Sequence, residues 1–208
     1  MNAGLSNLAT LKAHLLAPAI RTQTALDTVI ADLGLGVAAQ FERFCNRKFY
    51  RAVGATMTFP AGADNVIVDR YPVESIAKVE VKENATDGFI EDANAVENWR
   101  AESGWVSFGS PLSTDLAIGR ITFTGGYWWE TKEPADQGYS TTPPTGAASL
   151  PDDLKLAWLM QCRHVWAAMD KLGVSVGAKP DAESKLGDVK LTPQVVEILN
   201  AYRRFAIA

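Results

Sequence analysis

Histidine and cysteine are scarce in this 208-residue chain, two of each, and that scarcity removes much of the chemistry a sequence can advertise. His14 and His164 each read as helix-surface or interface residues rather than members of a catalytic triad. No HExxH, CxxC, Walker loop, dinucleotide fingerprint or GxSxG elbow occurs. Gly34-Leu35-Gly36 lacks the third glycine and the preceding strand of a phosphate loop. We therefore expect no catalytic, cofactor-binding or metal-binding residues, and no enzyme. Cys45 and Cys162 fall on predicted helices and read as buried reduced thiols.

Long apolar runs are also missing. None approaches the roughly 18 residues needed to cross a bilayer, and the start of the chain has neither the basic opening nor the apolar core of a signal peptide. The expectation is a protein made in the cytoplasm, with no membrane partner. Nor is there an excess of positive charge: 20 Lys and Arg stand against 24 Asp and Glu, a net charge of −4. That balance argues against a basic surface that grips nucleic acid. No internal repeat or low-complexity run is present.

What is present is an ordinary globular composition, 47% hydrophobic and 21% charged, which excludes wholesale disorder, over a length that suits one sizeable core or a core plus an inserted module. The stretch from Leu150 to Gly173 is its most regular segment. Pro151 suits a first helical position, and Asp152 and Asp153 suit the positive end of a helix dipole. Leu154, Trp158, Cys162, Val165, Met169 and Leu172 fall within an arc of roughly 80°, a core seam. Leu156, Met160 and Ala167 lie on another side, and Leu159 with Trp166 among charged neighbours that include Arg163. This helix offers more apolar surface than one seam covers, so we expect Leu156, Leu159, Met160, Arg163 and Trp166 to meet something beyond its own domain.

In chain order, a short helix is predicted over Leu5 to Leu16. A long one starts at Thr24-Ala25-Leu26-Asp27, a capping-box variant, and keeps its apolar phase from Leu26 to Cys45 straight through Gly34 and Gly36. Basic Arg47 and Lys48 would complement its C-terminal end. From Ala55 the period changes to that of strands: Ala55 to Phe59, Val66 to Asp69, Ile76 to Glu83, Trp105 to Phe108 and Arg120 to Trp129. The stretch from Glu130 to Ser149 reads as an exposed loop. A last helix follows Thr192-Pro193, with Val195, Ile198, Leu199, Tyr202 and Ala206 on one side. The expected fold class is α+β, mainly α. A helical bundle comes from both chain ends (1–50 and 150–208), a small antiparallel β module (51–130) is inserted between them, and 131–149 is an exposed loop.

Two features of the β module invite functional readings. Glu80, Glu83, Glu91, Asp92 and Glu97 could supply an acid and base pair, but acidic residues on exposed strand faces are ordinary. Trp99, Trp105, Tyr127, Trp128 and Trp129 could form an aromatic platform. Trp128 and Trp129 must point to opposite faces of an extended strand, which leaves one available to a partner.

Several runs taken together resemble the head-tail connector, or adaptor, proteins of tailed bacteriophages. They are Phe41-Glu42-Arg43-Phe44-Cys45-Asn46-Arg47-Lys48-Phe49, then Asp69-Arg70-Tyr71-Pro72-Val73-Glu74-Ser75-Ile76, then Ile121-Thr122-Phe123-Thr124-Gly125-Gly126-Tyr127. The Pro-initiated helix from Leu150 and the closing helix from Val195 to Arg204 complete the series. The order of these runs carries the resemblance more than any one of them, and the β module and the following loop are larger here than in shorter family members. The resemblance implies a structural virion protein of the neck, assembled in the bacterial host cytoplasm as a homo-oligomeric ring, a dodecamer. It implies docking on a portal protein, a lumen through which double-stranded DNA passes without sequence-specific binding, and a platform for a stopper or tail protein. It also implies subunit contacts through the Leu150 helix, portal contact through Tyr202, Arg203, Arg204 and Phe205, and downstream contact through Trp128 and Trp129. The alternatives are another neck or tail ring protein, a stopper or tail terminator, or a carbohydrate-binding β module or surface hydrolase.

Overall fold

Helix α1 (Leu8–Leu15) begins where Asn7 can cap it: the Asn7 side chain accepts from the Thr10 N–H at 2.9 Å. The computed structural model describes residues 2–60, 62, 65–84, 86–92, 95–96, 99–102, 104–108, 118–132, 134–171 and 190–204. These fall into two compact units. The first comprises Met1–Cys45, Trp129–Thr141 and Leu150–Arg203, and the second Asn46–Trp128, Thr142–Ser149 and Arg204–Ala208.

In the first unit a 3-10 turn (Pro18–Ile20) separates α1 from α2 (Asp27–Cys45), which runs unbroken through both glycines. Ile30, Leu33, Val37, Phe41 and Cys45 are buried, as the phase predicts, while Val29 is exposed. The predicted capping box does not form as read. Asp27 instead pairs with the buried Lys12 ammonium of α1, which also donates to the Gln23 carbonyl at 2.6 Å. Gly34 has a tertiary cause. A Cβ there would stand 2.1 Å from the Ala3 carbonyl oxygen and 3.0 Å from the Trp158 ring, whereas Gly36 faces open space. Trp158 uses the same close approach to donate its indole N–H to the Gly34 carbonyl at 3.0 Å.

Helix α3 (Asp152–Lys171) starts one residue later than predicted, with Pro151 just ahead of it and both aspartates in its first turn. Leu154, Trp158 and Cys162 of the predicted seam are buried and Val165 is half-buried. The Met169 side chain and Leu172 lie outside the described residues. Helix α4 (Pro193–Asn200) buries Val195 and Leu199. Thr192 precedes it but makes no side-chain cap. The fully buried Gln161 of α3 holds this entry instead, donating to the Lys190 carbonyl at 3.1 Å and accepting from the Thr192 N–H at 3.1 Å.

The second unit is built on a four-stranded antiparallel sheet in the order β1-β7-β3-β4, from β1 (Ala52–Pro60), β3 (Val73–Lys82), β4 (Ile90–Glu91) and β7 (Ile118–Gly125). A second sheet orders β2 (Asn65–Ile67), β6 (Trp105–Ser107) and β5 (Arg100–Glu102) as β2-β6-β5, and β8 (Tyr127–Trp128) runs parallel to β9 (Ala148–Ser149). Their core is Phe59, Val66, Val68, Ile76, Val79, Ala95, Val106, Phe108, Ile121 and Phe123.

This corrects the expectation of a mainly α protein organised as a helical bundle. Among the described residues helix accounts for 35% and strand for 27%, and the four-stranded sheet is an architectural element in its own right. The β content was underread because strand signals are broken by irregularities. β1 carries a register shift between Ala52 and Ala55, where Gly54 takes φ +68, and β3 carries two. A bulge adds a residue and interrupts the period of two by which strands are recognised. In the segment read as a loop, Ala148 and Ser149 pair as β9.

Candidate functional site

Three of the runs that carried the sequence resemblance meet at one point of the second unit. The Lys48 N–H donates to the Asp69 carbonyl at 2.8 Å, the Tyr127 N–H to the Phe49 carbonyl at 2.7 Å, and the Gly126 N–H to the Pro72 carbonyl at 2.9 Å. The double glycine is required there. A Cβ on Gly125 would lie 2.8 Å from the Arg70 carbonyl oxygen, and Gly126, at φ +100, lies equally close to that of Tyr50. At the centre is Arg47, 3% exposed. Its guanidinium carbon lies 3.2 Å from the Tyr71 ring centroid, 5.0 Å from that of Phe49 and 5.3 Å from that of Tyr127. Nη2 donates to the Tyr71 carbonyl. Nε and Nη1 are buried without hydrogen-bond partners, and among the described residues no carboxylate forms an ion pair with Arg47. Aromatic faces therefore hold a cation that would otherwise be costly to bury. The sequence reading assigned Arg47 to the helix dipole and missed this role. Its neighbours in the runs at 69–76 and 121–127 are the only sequence signal that pointed here.

In β3, Glu80 is 3% exposed and clamped from both sides. Arg120 donates to it at 2.7 Å and the Lys78 ammonium lies 2.7 Å away. These partners, Arg120 first, lower its carboxyl from 4.5 to about 2. Arg120 also stacks over Phe89 at 4.0 Å. Glu80 is thus a fixed anion, unsuited to general acid work. Among the described residues no cluster of three or more His, Cys, Asp or Glu side chains could hold a metal ion. No described helix is long and apolar enough to cross a membrane.

The helix-borne candidates lie in the first unit. Leu156 of α3 is 52% exposed. Leu159, Met160 and Trp166 are half-buried, and Arg163 is exposed. His14 of α1 is held below its ordinary value by burial first and then by the charge of Arg163, while His164 is exposed. Cys45 and Cys162 are buried free thiols; burial pushes the Cys162 thiol far up. Helix α2 adds an open groove of about 400 Å³ lined by Val29, Asp32, Leu33, Gly36, Val37 and Gln40 with Val165 of α3.

The C-terminal candidates divide between the two units. The Tyr202 hydroxyl donates to Asp153 at 2.6 Å, and Arg203 sits 5.2 Å from the Phe44 ring centroid, both within the first unit. Arg204 belongs to the second unit and donates to the Ile67 carbonyl. Phe205 lies outside the described residues. Of the adjacent tryptophans neither is exposed: Trp128 is half-buried in β8 and Trp129 is buried at 9% exposure.

No family model matches the chain, and no curated protein does. Solved structures do match. A chain of the neck of an empty gene transfer agent particle, computed with C6 symmetry, superposes with a TM-score of 0.57 at 16% identity. The match covers 97% of this chain and 90% of that one. This is a fold found in a particle neck. A chain from the virion of a native gene transfer agent particle matches with a TM-score of 0.52 at 15% identity over the same shares. At such identities the likeness speaks for the fold, which spans both units of the chain.

Proposed function

We propose that the chain is a structural protein of a virion neck, a head-tail connector of the adaptor type. In this reading copies form a ring, a dodecamer, that docks on the portal, extends the DNA channel and gives a stopper or tail protein its platform. One observation carries the reading: the fold is shared nearly end to end, 97% of this chain against 90% of the other, with a chain of a neck computed with C6 symmetry. The order of the sequence runs supports it independently. So does the net charge of −4, because a lumen crowded with Lys and Arg would hold DNA phosphates through counterion release.

Within this proposal Leu156, Leu159, Met160, Arg163 and Trp166 of α3 contact the next subunit, and Tyr202, Arg203, Arg204 and Phe205 contact the portal. Trp128 is the more accessible of the two tryptophans for a downstream partner. The chemistry required is rigid positioning without turnover.

The test is to image the purified chain mixed with purified portal and with DNA-filled heads. The expected result is a ring of density beneath the portal. Density only on the far side of an existing adaptor ring, as a stopper or terminator would give, would overturn the adaptor assignment. Leu156→Glu, at the most exposed hydrophobic position of the α3 patch, is expected to reduce ring occupancy at least about tenfold while the monomer keeps its circular dichroism spectrum.

A further inference from the structure

Strand β1 ends the order β1-β7-β3-β4, so one of its sides pairs with β7 and the other has no strand partner among the described residues. Its nine residues, Ala-Val-Gly-Ala-Thr-Met-Thr-Phe-Pro, carry no charge. An exposed edge of that length presents a row of unpaired N–H and C=O groups, which proteins ordinarily blunt with Lys, Pro, bulges or a covering element. Here the bulge and the proline lie at the two ends. Between them, from Ala55 to Phe59, the register with β7 is regular, so the stretch best able to template another strand has no blunting device of its own and no strand over it among the described residues.

The opposite edge of the same sheet is β4, two residues long, and the part of β3 it leaves uncovered is broken by register shifts. The two edges are unlike in length and composition, yet they share one property. The two most exposed large hydrophobic side chains among the described residues are Val53 at 74% and Ile90 at 75%. One sits on β1 and the other on β4.

We infer that these edges are the two halves of one contact between copies of this chain, in which β1 of one subunit pairs with the β4 edge of the next and continues the sheet across the boundary. A peptide from an unrelated partner would satisfy β1 and leave Ile90 bare. A second copy covers both edges with a single type of contact. Because the edges differ, the contact is head-to-tail, the kind that closes into a ring when its rotation allows. Closure into a ring rests on the neck reading above and agrees with the C6 symmetry of the neck whose fold is shared.

Three proteins test this: the wild type, Val53→Lys with Thr56→Lys, and Ile90→Lys. All three substituted positions are solvent-exposed, so each monomer should fold, as circular dichroism would verify. Mass photometry and imaging, with and without portal, are expected to show rings for the wild type. Each variant alone should lose ring occupancy at least about tenfold. An equimolar mixture of the two variants should stop at heterodimers, since only one good edge of each kind remains. In assembled wild-type rings, amide exchange at 55–59 should slow relative to the monomer.

Variants that form rings as well as the wild type would overturn the inference, as would unchanged exchange in assembled rings or a wild type that stays monomeric alone and on portal. Assembly that fails for the β1 variant but survives Ile90→Lys would replace the head-to-tail pairing with a symmetric β1 to β1 contact. Protection of β1 only when a tail component is added would reassign the occupant. Wild-type rings that ignore the portal would instead overturn the neck reading and leave the edge pairing standing.

Discussion

The two compact units differ in how they bury polar groups. In the first, the Lys12–Asp27 pair apart, buried polar side chains close hydrogen bonds with backbone far away in sequence. Trp158 donates to Gly34, Gln161 bridges Lys190 and Thr192, and Asn7 donates to the Lys132 carbonyl at 3.0 Å. In the second, Arg47 is buried with no carboxylate partner among the described residues and is held by three aromatic rings and one carbonyl, while Glu74 and Glu80 pair with other cations. Glu74 takes a two-pronged bond from Arg51 at 2.7 and 2.8 Å, and Glu80 is clamped by Arg120 and Lys78. Helices satisfy their own backbone, so their side chains are free to tie segments together. A sheet with irregular edges relies on charge pairs and ring faces to fix its turns.

The strongest challenge to this contrast is Trp158→Ala. Losing a fully buried indole and its hydrogen bond to Gly34 should destabilise the first unit by about 3–5 kcal/mol. Cys45 and Cys162 both lie in that unit and are buried, so thiol labelling during denaturant unfolding reports on it alone. Labelling should begin at lower denaturant while the signal from the sheet's aromatics holds its midpoint. Equal shifts in both would mean that the units unfold as one and that the contrast has no thermodynamic counterpart.

Acid probes the second unit. Glu80 titrates at about 2 when folded against 4.5 ordinarily. A lowered folded value stabilises the native state above the unfolded value, and the stabilisation is lost as pH falls from about 4.5 toward 2. Glu80→Gln should therefore lower the melting temperature at neutral pH, with the gap to wild type closing as pH approaches 2. A gap independent of pH would show that the clamp acts through packing rather than charge.

Smaller effects sharpen the first unit's side. Asn7→Ala removes the α1 cap and the bond to Lys132, and should cost about 1–2 kcal/mol. Tyr202→Phe removes only the hydroxyl bond to Asp153 and should cost about 0.5 kcal/mol. Denaturant midpoints would check both, and a larger loss for Tyr202→Phe than for Asn7→Ala would invert the ranking.

Much of the helical part was legible. The phase from Leu26 to Cys45 survived two glycines because helical periodicity is local, and the burial of Ile30, Leu33, Val37 and Phe41 follows from it. What was not legible depends on residues far apart. Gly34 is glycine because Ala3 and Trp158 press on it, and nothing near position 34 says so. Arg47 reads as a dipole partner until residues 69–72 and 125–127 fold over it. Sheet content was underread because bulges in β1 and β3 break the alternation, and β4, β5 and β9 are too short to show a period.

The sequence by itself determined the helix positions, the existence of a β region between them, the lack of catalytic motifs and the order of runs that suggested a neck protein. These rest on local periodicity, composition and order along the chain. Only the tertiary structure decided that the sheet is a principal element, that Arg47 sits in an aromatic knot, and that β1 lies at an edge. Strand order and close approach are properties of segments brought together from 40 or more residues apart, as Glu80 and Arg120 are, and no local pattern encodes which strand will be left without a neighbour.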